Sequence, residues 1–355
     1  MSARREGHAR RRTTLTRTPS GHPLNSRRII GGLALAALAT VLVSAVMALL
    51  TDGPGMLAAL RGFPLLGLAA MLALGLASFA VRGLRWGQLM RVVGHPTRAR
   101  DAIYLQLAGQ TMTLTPGRVG EVLKPWLARS TSGMPMTRGV ALVFAERVAD
   151  LIGVCILALG GLSLVGGNRW MLMGGLAAVL VGSALASSEW FRSLALRVVK
   201  RQDWAREHHA SAETISETIR LSLTWRTLMW SVPASVLAWG LEGVGFALCL
   251  SALGFSVLNL PSAVSIYAIA TVAGALTFLP GGIGLTEASM AGILIAAGMN
   301  PADASAATVI TRLATLWWGV GIGWVVLTTR PSVLRSVLAT GDADTLVGDS
   351  SSDSS

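Results

Sequence analysis

Apolar stretches about as long as a bilayer crossing recur from Ile29 to Thr329. They constrain this chain more than any single motif does. A hydrocarbon core ~30 Å thick needs about 20 consecutive, mostly apolar residues to be crossed as an α-helix. Six runs have that character: 29–50, 64–87, 139–165, 170–187, 228–252 and 303–328. Composition agrees, since only 14% of the residues are charged against roughly 25% in soluble domains. The expectation is an all-α polytopic membrane protein with little room for a soluble domain.

The formal net charge is +12, carried almost wholly by arginine, with Lys124 and Lys200 the only lysines. In a membrane protein such an excess collects in cytoplasmic loops, so no nucleic-acid partner is expected. If six spans cross the membrane, one side holds the N-terminal tail, the 88–138 region and the 188–227 loop. That loop contains Arg192, Arg197, Lys200, Arg201, Arg206, Arg220 and Arg226. The opposite side holds only Arg61 and Arg169 outside the spans. The bias places both termini in the cytoplasm. Residues 1–28 contain eight arginines and read as a disordered basic tail, and 330–355 read as an acidic, Ser-rich one. The 188–227 loop is either an amphipathic surface helix or a solvated charged segment.

Cys155 and Cys249 both lie inside apolar runs and read as buried thiols, and all five histidines lie outside those runs. Neither a metal spacing nor a disulfide framework is visible. No metal and no cofactor is therefore expected, and a histidine-based catalytic centre is not.

Two further regions, 101–132 and 262–298, are apolar but interrupted by Pro-Gly. The first reads "LTPGRVGEVLKPW" and the second "FLPGGIGLTEA". Pro116, Gly117 and Gly120 align with Pro280, Gly281 and Gly284, and Glu121 with Glu287 at a slight offset. Farther on, "ERVADL" aligns with "TRLATL", and the intervals Pro116 to Arg147 and Pro280 to Arg312 differ by a single residue. Proline lacks the N–H of a continuing helix and glycine reaches turns closed to other residues. Each region then reads as a re-entrant helical hairpin, or else as an ordinary turn outside the membrane. With hairpins, the chain divides into repeat A (29–165) and repeat B (166–329), each with three spans and one hairpin. An odd number of spans makes the second repeat inverted, an arrangement found in transporters.

Arg147 and Arg312 lie on the order of 12–14 Å into their spans, taking 1.5 Å per residue. A charge at that depth costs at least a few kcal/mol and needs a partner, a cavity or a ligand. One reading is structural: Arg147 pairs with Asp150, and Arg312 with Glu287 or Glu242. The other is functional: both arginines face a central cavity and hold a phosphate, oriented by Glu121, Glu146, Asp150 and Glu287. The planar guanidinium suits phosphate because it donates two parallel hydrogen bonds. Arg82 and Arg85, near the cytoplasmic end of the second span, are expected to snorkel toward water.

The blocks "PGRVGEVLKPWLARSTSGMPMTRGVALVFAERVADL" and "LPGGIGLTEASMAGILIAAGMNPADASAATVITRLATLW" closely resemble the flippase-like integral membrane family that shares the lysylphosphatidylglycerol synthase transmembrane region. The resemblance covers about residues 30–330. It implies a protein of the inner, cytoplasmic membrane that handles a membrane phospholipid with an anionic head group or a polyprenyl-phosphate-linked lipid. The synthases carry a separate soluble domain for aminoacyl transfer, and with only 330–355 after the last span that domain is expected to be missing here. The leading expectation is a lipid translocase rather than an enzyme. Two alternatives stand beside it. One is a membrane-embedded transferase or hydrolase using Glu146 and Asp150 as acid and base. The other is an accessory protein for a cell-envelope glycosyltransferase.

Overall fold

The computed structural model describes residues 52–113, 123–161, 209–276 and 280–330, with isolated helical positions between Leu38 and Leu49. Among the described residues every regular element is a helix. In chain order they are α1 (Gly53–Gly62), α2 (Leu65–Val92), α3 (Ala99–Gly109), α4 (Leu123–Ser132), α5 (Met136–Gly161), α6 (His209–Ser222), α7 (Trp225–Ala252), α8 (Leu260–Leu276), α9 (Leu285–Ala296) and α10 (Pro301–Thr328).

Local chemistry sets the boundaries. Pro64 cannot donate within a helix, and the residue before it is pushed to an extended conformation. Phe63 and Pro64 are both extended and separate α1 from α2. The Thr224 side chain accepts from the Thr227 N–H at the start of α7, and that of Asn300 accepts from Ala302 N–H at the start of α10. These bonds satisfy N–H groups left over at a helix start. α10 is one rod with a π-helical segment, Leu313–Trp317, immediately after Arg312.

By length and composition, α2, α7 and α10 can each cross a membrane. They correspond to the expected spans 64–87, 228–252 and 303–328. α5 corresponds to 139–165 and is nearly as long, with 26 residues, but Glu146, Arg147 and Asp150 interrupt its apolar sequence. The expected span 170–187 lies outside the described residues, as do both tails and nearly all of 29–50. The two interrupted regions are helix–break–helix units: α3 and α4 in 99–132, and α8 and α9 in 260–296. The 188–227 loop contributes α6, which packs against α5 and buries Thr218 and Ser222.

α7 packs along α2 and α5, and α8 packs on α5. Two apolar cores result. One gathers Met71 with Phe246, Ile266, Met290 and Ile310. The other gathers Trp86 and Met90 with Leu105, Leu123 and Leu142. Met71 and Trp86 lie on the same helix, and between them α2 carries Ser78, Arg82 and Arg85, all buried. The cores therefore flank a polar waist. Arg82, Arg147, Glu242 and Arg312 each lie within about one turn, ~5.4 Å, of the midpoint of their helix. Cys155 and Cys249 are buried free thiols.

Candidate functional site

The waist is built from three groups of charges. In the first, α2 presents Ser78 and Arg82, four residues apart and so on one face. α7 brings Glu242 against them. Arg82 Nη2 lies 2.8 Å from Glu242 Oε1, to which Ser78 Oγ also donates at 2.8 Å. Tyr267 of α8 donates to Glu242 Oε2 at 2.6 Å. The Arg82 guanidinium stacks 4.0 Å over the ring of Trp239.

The second group surrounds α5. Arg85 reaches Asp150 Oδ1 at 2.7 Å and Glu146 Oε1 at 3.1 Å. It also donates to Ser235 of α7, whose hydroxyl donates to Asp150 Oδ1 at 2.9 Å. The close crossing depends on Gly153, where a Cβ would stand 2.7 Å from Ser235 Cβ. Lys124 of α4 donates to both Glu146 oxygens, at 3.0 and 2.8 Å, and to Gln106 Oε1 of α3 at 2.6 Å. Arg147 Nη2 lies 3.5 Å from Asp150 Oδ2 and 4.0 Å from Glu146 Oε2.

The third group joins α10 to the turn between α8 and α9. Arg312 Nε meets Glu287 Oε1 at 2.5 Å, and Arg312 Nη2 donates to the Gly281 carbonyl at 2.6 Å. The other Glu287 oxygen accepts from the Gly284 N–H at 2.6 Å. Gly281, Gly282 and Gly284 all have positive φ (61°, 67° and 98°), a region that residues with a Cβ rarely enter.

A cavity of approximately 420 Å³ lies among the three groups, within the range of small-ligand sites. Arg82, Lys124, Arg147 and Arg312 all contribute to its wall, together with Glu146 and Asp150. Val143, Leu151 and Val154 of α5 and Val272 of α8 supply an apolar side. The cations differ in access. The Arg147 side chain is 38% exposed, that of Arg312 14%, and those of Arg82, Arg85 and Lys124 0–8%.

Of the residues singled out in the sequence, Arg147, Arg312, Glu146, Asp150 and Gly281 meet at this cavity. Glu287 stands behind Arg312, and Gly284 starts α9. Pro280 begins the one-turn 3-10 segment between α8 and α9. Pro116, Gly117, Gly120 and Glu121 lie outside the described residues. The pairs Arg147–Asp150 and Arg312–Glu287 both form, whereas Glu242 pairs with Arg82 instead of Arg312.

The snorkelling expected of Arg82 and Arg85 is wrong. α2 continues to Val92, beyond the apolar run, so both arginines lie well inside the helix and are only 6% and 2% exposed. Each faces carboxylates on a neighbouring helix. Sequence reasoning also missed Lys124, Gln106 and Tyr267 as part of the site. One signal was available for Lys124: it is one of only two lysines in the chain, and it sits in an interrupted apolar region.

Comparison with known proteins gives a consistent family. The lysylphosphatidylglycerol synthase TM region matches residues 29–323. A UPF0104 membrane protein of Methanothermobacter thermautotrophicus is 26% identical over 274 residues, covering 72% of this chain and 81% of that protein. A second UPF0104 membrane protein of the same organism is 28% identical over 317 residues, covering 81% of this chain and 90% of that protein. The glycosyltransferase AglD of Haloferax volcanii is 29% identical over 145 residues, 39% of this chain and 22% of that protein.

Proposed function

We propose, from the premise that this chain belongs to the family of the lysylphosphatidylglycerol synthase transmembrane region, that it is a lipid translocase. Its cargo is a lipid with an anionic or polyprenyl-phosphate-linked head group, and no chemistry is done on that lipid. The observation that carries the reading is the cavity at mid-helix depth, with Arg147 the most exposed of its cations. A buried charged site of this kind is expensive in a membrane and is a functional candidate by default. In this reading Arg147 donates to the head-group phosphate, Glu146 and Asp150 hold that arginine in place, and the apolar side of the cavity receives the lipid tails.

An inverted-repeat architecture belongs to the same proposal, with repeats 29–165 and 166–329, two re-entrant hairpins and both termini cytoplasmic. Support comes from the two helix–break–helix units, α3–α4 and α8–α9. Each is followed by a long helix with an arginine near its midpoint, Arg147 in α5 and Arg312 in α10.

The test is reconstitution in liposomes followed by mass spectrometry of the lipid in each leaflet. Translocation predicts movement of a phosphatidylglycerol probe with its mass unchanged. A second reading, assistance to a glycosyltransferase or transfer itself, draws on the partial likeness to AglD. It predicts a changed mass when a sugar donor is present. Against that reading, Arg85 engages both Glu146 and Asp150 as ion-pair partners, which gives the two carboxylates a structural role.

A further inference from the structure

The two central arginines do different work. Arg312 is engaged from two directions: Glu287 holds Nε at 2.5 Å, and the Gly281 carbonyl takes a hydrogen bond from Nη2 at 2.6 Å. Glu287 in turn takes the Gly284 N–H at 2.6 Å. One guanidinium and one carboxylate therefore close a ring through both ends of the 281–284 turn. That turn is a poor spring by itself. Its backbone leaves the helical region at Gly281, and three of its four residues are glycines with positive φ, which have the most conformational freedom to regain on release. On the α10 side, the π segment 313–317 begins at the residue after Arg312. Such interruptions of the regular ladder are weak points that recur at functional positions. The Arg312–Glu287 pair thus joins a glycine-rich turn to a helix at the edge of its π segment, and its arginine lines the cavity while its carboxylate stands behind.

We propose that Arg312 and Glu287 form a latch that holds the α8–α9 turn against α10, and that an anionic head group entering the cavity opens it by replacing Glu287 on Arg312. Glu287 is then a positioning residue: it never meets the lipid, and it sets the closed state that the lipid releases. The inference rests on the translocase reading for its cargo, but the latch itself is testable without any transport.

Hydrogen–deuterium exchange of the peptide covering 280–290 reads the latch in the full-length protein held in phosphatidylcholine nanodiscs. Glu287→Gln should speed exchange there on the order of tenfold, the usual size of coupling between sites. Asp101→Asn, which breaks the pair with Arg330 beyond the end of α10 and away from the cavity, should leave this peptide unchanged. Should Glu287→Gln fail to fold, Arg312→Gln is the substitute, because it removes the guanidinium that joins Glu287 to the Gly281 carbonyl. In the wild type, nanodiscs containing phosphatidylglycerol should speed exchange at the turn. Inorganic phosphate at millimolar concentration should do so less if the head group must arrive on a lipid, and equally if the anion alone suffices. Unchanged exchange in Glu287→Gln, or an equal change in Asp101→Asn, overturns the latch. A response to Glu287→Gln with none to either anion overturns its opening by ligand. Failure of translocation with the latch response intact would count against the translocase reading alone.

Discussion

Arg147 and Arg312 occupy comparable places, each near the middle of a long helix that follows a broken one, yet their surroundings are unlike. Around Arg147 four helices contribute: Arg85 from α2, Lys124 from α4, Glu146 and Asp150 from α5 itself, and Ser235 from α7. The carboxylates there are committed mainly to the deeply buried Arg85 and Lys124, and Arg147 keeps a 38% exposed side chain at longer range from them. Around Arg312 the partners are one carboxylate and one backbone carbonyl, both from the α8–α9 segment, and the arginine is 14% exposed. A charge pattern repeated in sequence therefore need not repeat its surroundings. One arginine sits on a polar platform of buried ion pairs and lines the cavity, while the other joins a turn to a helix.

Substitutions at the two arginines and their partners should separate the two environments. The largest effect is expected at Arg85. Its side chain is fully buried between Asp150 and Glu146, so Arg85→Ala leaves two carboxylates short of a partner. Removing one member of a buried pair costs about 3–5 kcal/mol, which thermal unfolding in detergent should register as a large fall in Tm or a loss of folded protein. Near-wild-type stability would mean that the platform is not held by Arg85. Arg312→Gln comes next. Losing a hydrogen-bonded partner of a buried carboxylate costs about 1–3 kcal/mol, and the same melting experiment should place it between Arg85→Ala and Arg147→Gln. Arg147→Gln should change stability by no more than about 1 kcal/mol, as expected of a partly exposed pair, while abolishing lipid movement. Arg147→Lys should restore part of that movement, because a point charge lacks the two-pronged donor. The smallest effect is predicted for Arg330, which stacks 4.1 Å over Tyr104 and pairs with Asp101 at the end of α10. Arg330→Ala should cost within about 1 kcal/mol and leave transport intact.

Much of this arrangement could be read in the sequence, and the remainder has identifiable physical reasons for being hidden. Apolar length located α2, α7 and α10 because a helix in oil must be apolar over its whole crossing. Pro-Gly located the α8–α9 break at Gly281 because proline and glycine act on the local backbone. Arg147 and Arg312 stood out because an arginine within an apolar run is costly wherever it points. The partners were hidden for the opposite reason. Arg82 and Glu242 are 160 residues apart, and Arg85 and Asp150 are 65 apart. Their meeting depends on how α2 lies against α7 and α5, which no local pattern encodes. Arg82 and Arg85 were misplaced because the helix outlasts its apolar run, and the polar last turns of α2 look like loop. Lys124 was counted with the cytoplasmic charges for a similar reason: α4 is polar in sequence, yet it is packed so that Lys124 lies over Trp86 at 3.9 Å.

Translocation, as proposed, requires that the cavity carry an anionic lipid head group on Arg147. It is tested most directly by leaflet exchange in phosphatidylcholine proteoliposomes, with a trace of fluorescent phosphatidylglycerol or of fluorescent phosphatidylcholine and reduction of the outward-facing dye. Wild-type protein should expose the phosphatidylglycerol probe well above the rate of protein-free vesicles. It should move the phosphatidylcholine probe more slowly, and Arg147→Gln, folded and inserted, should reduce phosphatidylglycerol movement to the protein-free rate. Equal movement of both probes, or a phosphatidylglycerol rate unaffected by Arg147→Gln, would contradict the claim.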